Sequence, residues 1–242
     1  MTRTERLGVV LLPAILLALV LFPVSVAGFR AGVWEFGTAF LLLQANVILT
    51  LITLLLGIVL ALAARRQRER SLVSRGSWVV LISVVVLALY AVQVYKARSH
   101  PFIHDLSTDT RNPPQFEAVV SLRTPQDHVT DYEGDSIAAL QQTAYPDLQP
   151  LITPVDPEQA YIRLKAMIKA RGWELVADEP QRGRLEAVVT SLLFGFKDDL
   201  VIRIRPYGEG ARVDMRSASR IGRSDLGANA ARLRALRQGF EE

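Results

Sequence analysis

The chain has 242 residues and a formal net charge of +4; half its residues are hydrophobic and none is cysteine. The lack of cysteine excludes a disulfide framework, thiolate catalysis and cysteine-based metal sites. The positive charge belongs to residues 1–98, where 10 basic side chains face 3 acidic ones for a net of +7, whereas residues 99–242 sum to −3. That distribution marks membrane topology rather than a nucleic-acid-binding surface.

Three apolar runs, residues 7–29, 36–64 and 78–95, make residues 1–98 a three-helix transmembrane anchor. Each is long enough to cross about 30 Å of hydrocarbon at about 1.5 Å per residue. The first contains Pro13 and Pro23, which membrane helices tolerate. Arg3 and Arg6 before it, and Ser25-Val26-Ala27 near its end, have the features of a cleavable signal. The length of the run and the two spans behind it favour an uncleaved first span. The second run exceeds what a bilayer requires, so it is expected to tilt or to expose an outer turn.

Loop charges set the expected orientation. Arg65, Arg66, Arg68, Arg70 and Arg75 lie between the second and third runs, against Arg30 and Glu35 between the first and second. Short arginine-rich loops stay in the cytoplasm. The expectation is therefore a multi-pass protein of the bacterial inner membrane, with a cytoplasmic N-terminus and residues from 99 onward in the periplasm. Lys96 and Arg98 oppose this and are outnumbered. The span centres carry no ionisable side chain, whereas transport and proton relays generally use one. Asn46, Thr50, Thr53 and Gly57 share one helical face, suited to packing against the other spans or against a partner protein.

Residues 99–156 read as an extended acidic arm, with 2 basic and 9 acidic side chains and a net of −7. Turn formers recur in Asn112-Pro113-Pro114, Glu133-Gly134-Asp135, Tyr145-Pro146-Asp147 and Thr153-Pro154, with one short helix at 137–143. Residues 157–242, with a net of +4, are more regular. Asp156-Pro157 starts a helix with a capping carboxylate and a proline at its first position; Gly172 ends it. Strands are expected over 173–177, 184–194, 200–205 and 212–218, with a hairpin loop at 206–210. Leu200, Ile202 and Ile204 alternate with Val201, Arg203 and Arg205 as in a half-buried strand. Ser224 is placed to cap a last helix that buries Leu226, Ala230, Leu233 and Leu236. The fold class expected is this anchor plus a two-layer α+β domain, a four-stranded antiparallel sheet with two helices on one face.

Several linked motifs resemble a known family. They are Gly172-Trp173-Glu174-Leu175-Val176, Phe194-Gly195-Phe196-Lys197-Asp198-Asp199, Arg203-Ile204-Arg205-Pro206 and the run from Met215 to Asn229. Upstream, residues 103–109 with Pro113-Pro114 belong to the same pattern. Residues 100–238 are similar to the uncharacterised bacterial family catalogued as domain of unknown function fourteen-ninety-nine. Leu193 departs from it, since the family tends to be aromatic there. The resemblance implies a domain boundary and no catalytic residues.

Alternation puts Arg203 and Arg205 beside Arg212, Asp214 and Arg216, with Glu186 on a neighbouring strand. Arg220, Arg223, Asp225 and Asn229 lie just beyond, at the start of the last helix. Guanidinium groups grip carboxylates and phosphates bidentately, and a helix N-terminus favours anions. The binding candidates are thus Arg203, Arg205, Arg216, Arg220, Asp225 and Asn229. Two other readings stand beside this one: cross-strand pairing on a solvated face, and the acidic arm folding over the arginines.

His100, His104, Asp105 and Asp109 suit turns and caps better than a metal, because Pro101 interrupts any helix that would align the histidines. Asp198-Asp199 is either a carboxylate pair for acid–base work or a charged hairpin corner. The chain has neither a Gly-x-Ser-x-Gly elbow nor a phosphate-binding glycine loop. No metal, cofactor or nucleic acid is expected. The functional expectation is a membrane-tethered periplasmic binding or assembly module that meets the bilayer and an envelope protein or anionic lipid. The alternative is a tethered, hydrolase-like enzyme acting on an envelope component.

Overall fold

The structure is a computed structural model. It describes residues 2–242, which form two units, one running to Lys96 and one from Ala97 to Glu242.

The first unit has three helices, α1 (Arg3–Arg30), α2 (Phe36–Arg66) and α3 (Arg70–Ser99). All three are long and apolar enough to cross a membrane, as their lipid-length apolar runs require. Thr2 caps α1 in a capping box with Glu5. Leu11, Ile15 and Ala18 of α1 pack with Leu60 and Ala64 of α2 and with Leu72 and Val79 of α3. The polar stripe of α2 lies inside this seam. Asn46 donates its side-chain N–H to the Ala18 carbonyl of α1, and the Thr53 hydroxyl lies 3.2 Å from the Ser83 hydroxyl of α3. Thr50 donates to the Asn46 carbonyl at 2.7 Å. Gly57 and Gly76 let α2 and α3 touch: a Cβ on Gly76 would stand 2.9 Å from the Gly57 carbonyl oxygen.

The second unit is built on a six-stranded antiparallel sheet. The strands are β1 (Asp105–Ser107), β2 (Leu151–Thr153), β3 (Glu174–Glu179), β4 (Arg184–Thr190), β5 (Lys197–Tyr207) and β6 (Gly210–Ser219). Their order is β1-β6-β5-β4-β3, and β2 pairs with β6 beyond β1. Six strands replace the four expected. The two additional ones are three-residue segments of 99–156, too short to show a period, laid end to end along β6 at Arg216–Ala218 and Ala211–Val213.

Helices α4 (Asp135–Ala144), α5 (Pro157–Ala170) and α6 (Ala228–Glu241) complete the domain, making six α-helices among the described residues. Asp156 caps α5 by accepting from the Glu158 amide at 2.8 Å. α6 begins later than expected. Its N-cap is Gly227 with φ of +82°, Leu226 is exposed, and Ser224 instead accepts from the Leu226 amide.

One sheet face carries the main core. Leu185, Leu200, Ile202, Val213 and Met215 meet Leu164 and Ile168 of α5 and Leu233, Leu236 and Phe240 of α6. The half-buried pattern expected for β5 does not hold, because Val201 is as buried as its neighbours. It packs with Phe116, Val119, Val188 and Ala218 in a second, smaller core on the opposite face. The chain from 105 to 133 covers that face.

Candidate functional site

The covered face owes its chemistry to alternation. Arg184, Glu186 and Val188 of β4, Asp199, Val201 and Arg203 of β5, and Asp214, Arg216 and Ala218 of β6 face away from the helices. Charged groups leave water only when paired and hydrogen-bonded. Each buried one here has such partners, largely from residues 105–133.

Arg216 is the largest fully buried side chain. Its Nε donates to Asp105 at 2.9 Å and its Nη2 at 2.6 Å. Two further donors reach the Pro114 carbonyl at 3.2 Å and the Thr130 carbonyl at 2.8 Å. The Phe116 and Tyr132 rings lie 4.6 Å and 5.4 Å from the guanidinium carbon. Burial, followed by the Asp105 charge, pushes the Tyr132 hydroxyl up to about 12.

Asp199 is gripped by Arg220 at 2.8 Å and by Arg123 at 2.7 Å. Glu186 accepts the amides of Glu117 at 2.9 Å, Ala118 at 3.2 Å and Val119 at 2.9 Å. It thereby caps the 3-10 turn Val119–Leu122, and Arg184 neutralises it from the same strand.

A third network reaches solvent. Arg203 and Arg205 meet one oxygen of buried Asp214 at 3.0 Å and 2.7 Å, and Arg212 meets the other at 2.8 Å. Arg212 also binds Asp109 at 2.7 Å. Donating a hydrogen bond to the Asp214 carboxylate raises the already high pKa of Arg212. The Arg205 side chain remains 42% exposed. Three guanidiniums thus share two carboxylates at the rim, an arrangement with spare N–H donors for a further anion.

Asp225 and Asn229 lie in the other layer. The Asn229 carbonyl accepts from Ser217 at 2.8 Å, and its amide donates to the His104 carbonyl and to Ser219. Asp225 accepts the Asn229 and Gly227 amides at 2.6 Å and 2.9 Å. The six candidates therefore fall into separate networks. Arg203 and Arg205 share Asp214, while Arg216, Arg220 and the Asp225–Asn229 pair have other partners.

Asp198 and Asp199 point to opposite faces of β5. The first pairs with Arg232 of α6 at 2.6 Å and the second with Arg220 and Arg123, so the two carboxylates do not converge on one substrate. His104 pairs with Glu133 at 2.7 Å and stacks on His128, with 3.9 Å between ring centroids. Asp105 and Asp109 are occupied by arginines rather than free for a metal.

A profile described as protein of unknown function (DUF1499) matches residues 105–240. The chain belongs to the DUF1499 family. No curated protein matches it. The DUF1499 match begins at β1 and ends inside α6, so it spans the six-stranded sheet and the segment covering it. Arg123, Arg184 and Arg232, which no sequence motif singles out, are further partners of these carboxylates. The available signal was charge, nine acidic residues in 99–156 against a basic remainder.

Proposed function

We propose that this DUF1499 protein is a multi-pass protein of the bacterial inner membrane that holds its C-terminal domain in the periplasm as a binding or assembly module. The orientation rests on five arginines between the second and third apolar runs against one between the first and second. The domain meets an envelope protein or an anionic envelope component. One observation carries the binding reading: Arg203, Arg205 and Arg212 converge on Asp214 while the Arg205 side chain stays 42% exposed. An incoming carboxylate or phosphate there finds guanidinium donors already oriented by Asp214.

The test is in-cell crosslinking from a photoreactive residue at Tyr207, which is exposed two positions beyond Arg205. Arg205→Gln is expected to weaken the captured adduct while the full chain stays folded, since Arg203 and Arg212 still hold Asp214. Undiminished capture by that variant would sink the reading.

A further inference from the structure

The turn between β4 and β5 ends in a rigid apolar tip. The Ser191 amide donates to the Phe196 carbonyl at 2.8 Å, and the Gly195 amide returns to the Ser191 carbonyl at 3.0 Å. The Ser191 hydroxyl also accepts the Phe196 amide at 2.9 Å. Gly195 sits at φ of +74°, which its lack of a side chain permits. This closed turn holds the Phe194 and Phe196 rings stacked with 5.1 Å between centroids. It presents Leu192 96% exposed and Leu193 52% exposed, and exposed Lys197 follows.

Strand register locates the tip within its domain. Asp105, the first residue of β1, pairs with Ala218, and Ala218 pairs with Asp199 near the start of β5. The chain therefore joins the domain at the sheet end that carries the tip. The β5–β6 turn at Gly208-Glu209 lies at the other end. Between Ser99, the last residue of α3, and Asp105 there are five residues, an extended reach of about 20 Å.

We propose that residues 191–197 are a membrane-docking tip, with Leu192 and Leu193 entering the lipid interface and Lys197 meeting lipid phosphate. Aliphatic side chains beside aromatic rings and a lysine suit the boundary between headgroups and acyl chains. A specific protein interface draws on about 20–30 residues a side, whereas the tip is the short segment 191–197. The α3 tether keeps the bilayer within reach. The docked tip then fixes which faces of the domain point away from the lipid, whatever those faces bind.

A chain without cysteine allows single-cysteine labelling. The full chain carrying Leu192→Cys or Glu209→Cys is labelled with a polarity-sensitive fluorophore and reconstituted in phosphatidylethanolamine–phosphatidylglycerol vesicles. The expected result is a blue shift at position 192 and loss of its emission to lipids spin-labelled high on the acyl chain, with neither at 209. Adding Leu193→Ser should return the emission at 192 toward the red. Equal quenching of both labels by aqueous iodide would overturn the proposal. So would a label at 192 that is shielded from iodide yet blind to the lipid quencher, or whose blue shift disappears when the protein is diluted in lipid; both mark protein contact instead.

Discussion

Arg216 and Asp105, 111 positions apart, form a bidentate ion pair between β6 and β1 in which neither side chain has more than 4% of its surface exposed. The pair fastens the first segment after α3 to the sheet, and the Phe116 and Tyr132 rings close over it. Removing one partner strands a buried charge, which costs about 3–5 kcal/mol. Asp105→Ala should therefore lower the thermal midpoint of the full chain sharply in detergent, and Arg216→Met should do the same. The double variant Asp105→Leu/Arg216→Met should recover much of that loss, since neither charge then remains buried. Thermal unfolding followed by near-ultraviolet circular dichroism measures all three.

Gly183 follows a 3-10 turn at φ of +57°, where an added Cβ would stand 2.2 Å from the Ile204 carbonyl oxygen. Its own amide donates to Pro180, and its carbonyl accepts the Ile204 amide at 2.7 Å. Gly183→Ala combines backbone strain with displacement of β5, a loss on the order of 1–3 kcal/mol. Denaturant titration of the full chain should show a lower midpoint. An unchanged midpoint would mean that β5 yields at this position.

The helical unit separates polar from steric contributions. Asn46→Leu removes one interhelical hydrogen bond, and such bonds average about 0.6 kcal/mol in membranes. Gly76→Leu drives a side chain into the Gly57 carbonyl and the Ala61 backbone. The glycine variant should lose monodispersity on heating in detergent well before the asparagine variant. The opposite order would assign the seam to hydrogen bonding.

Acid should act on the second unit in two directions. Side-chain hydrogen bonds from Arg234 hold Asp147 below its ordinary value, and those from Lys165 and then Tyr161 do so for Asp178. Their contributions are present above the unfolded carboxylate pKa and fade as pH falls through the lowered folded values. Burial raises Asp225 against the opposing amide bonds of Asn229 and Gly227. Its contribution is complete below the unfolded value and is lost as pH rises through the raised folded one. Profiles of thermal midpoint against pH should flatten on the acid side for Asp147→Asn and Asp178→Asn. For Asp225→Asn they should lose the decline just above the ordinary carboxylate range.

The legibility of this chain follows physical scale. Three lipid-length apolar runs are hard to mistake, and Asp156-Pro157 with Gly172 brackets α5 through local chemistry alone. β1 and β2 were unreadable because three residues show no alternation and are strands only through β6. Val201 looked solvent-facing because its neighbours in the pattern are arginines; its cover, Phe116 and Val119, lies more than 80 positions upstream. The basic stripe was visible, but its division among Asp105, Asp199 and Asp214 depends on where residues 105–133 cross the sheet. The strand expected to reach 194 ends at Thr190, where Ser191 closes the turn.

Cysteine accessibility in intact cells tests the central claim, a membrane anchor presenting this domain outside the cytoplasm. Arg68→Cys reports the α2–α3 loop, and Glu209→Cys reports the β5–β6 turn. A membrane-impermeant maleimide applied to cells with a permeabilised outer membrane should label position 209 at once. Position 68 should be labelled only after the inner membrane is opened. Immediate labelling at 68 with protection at 209 would contradict the account.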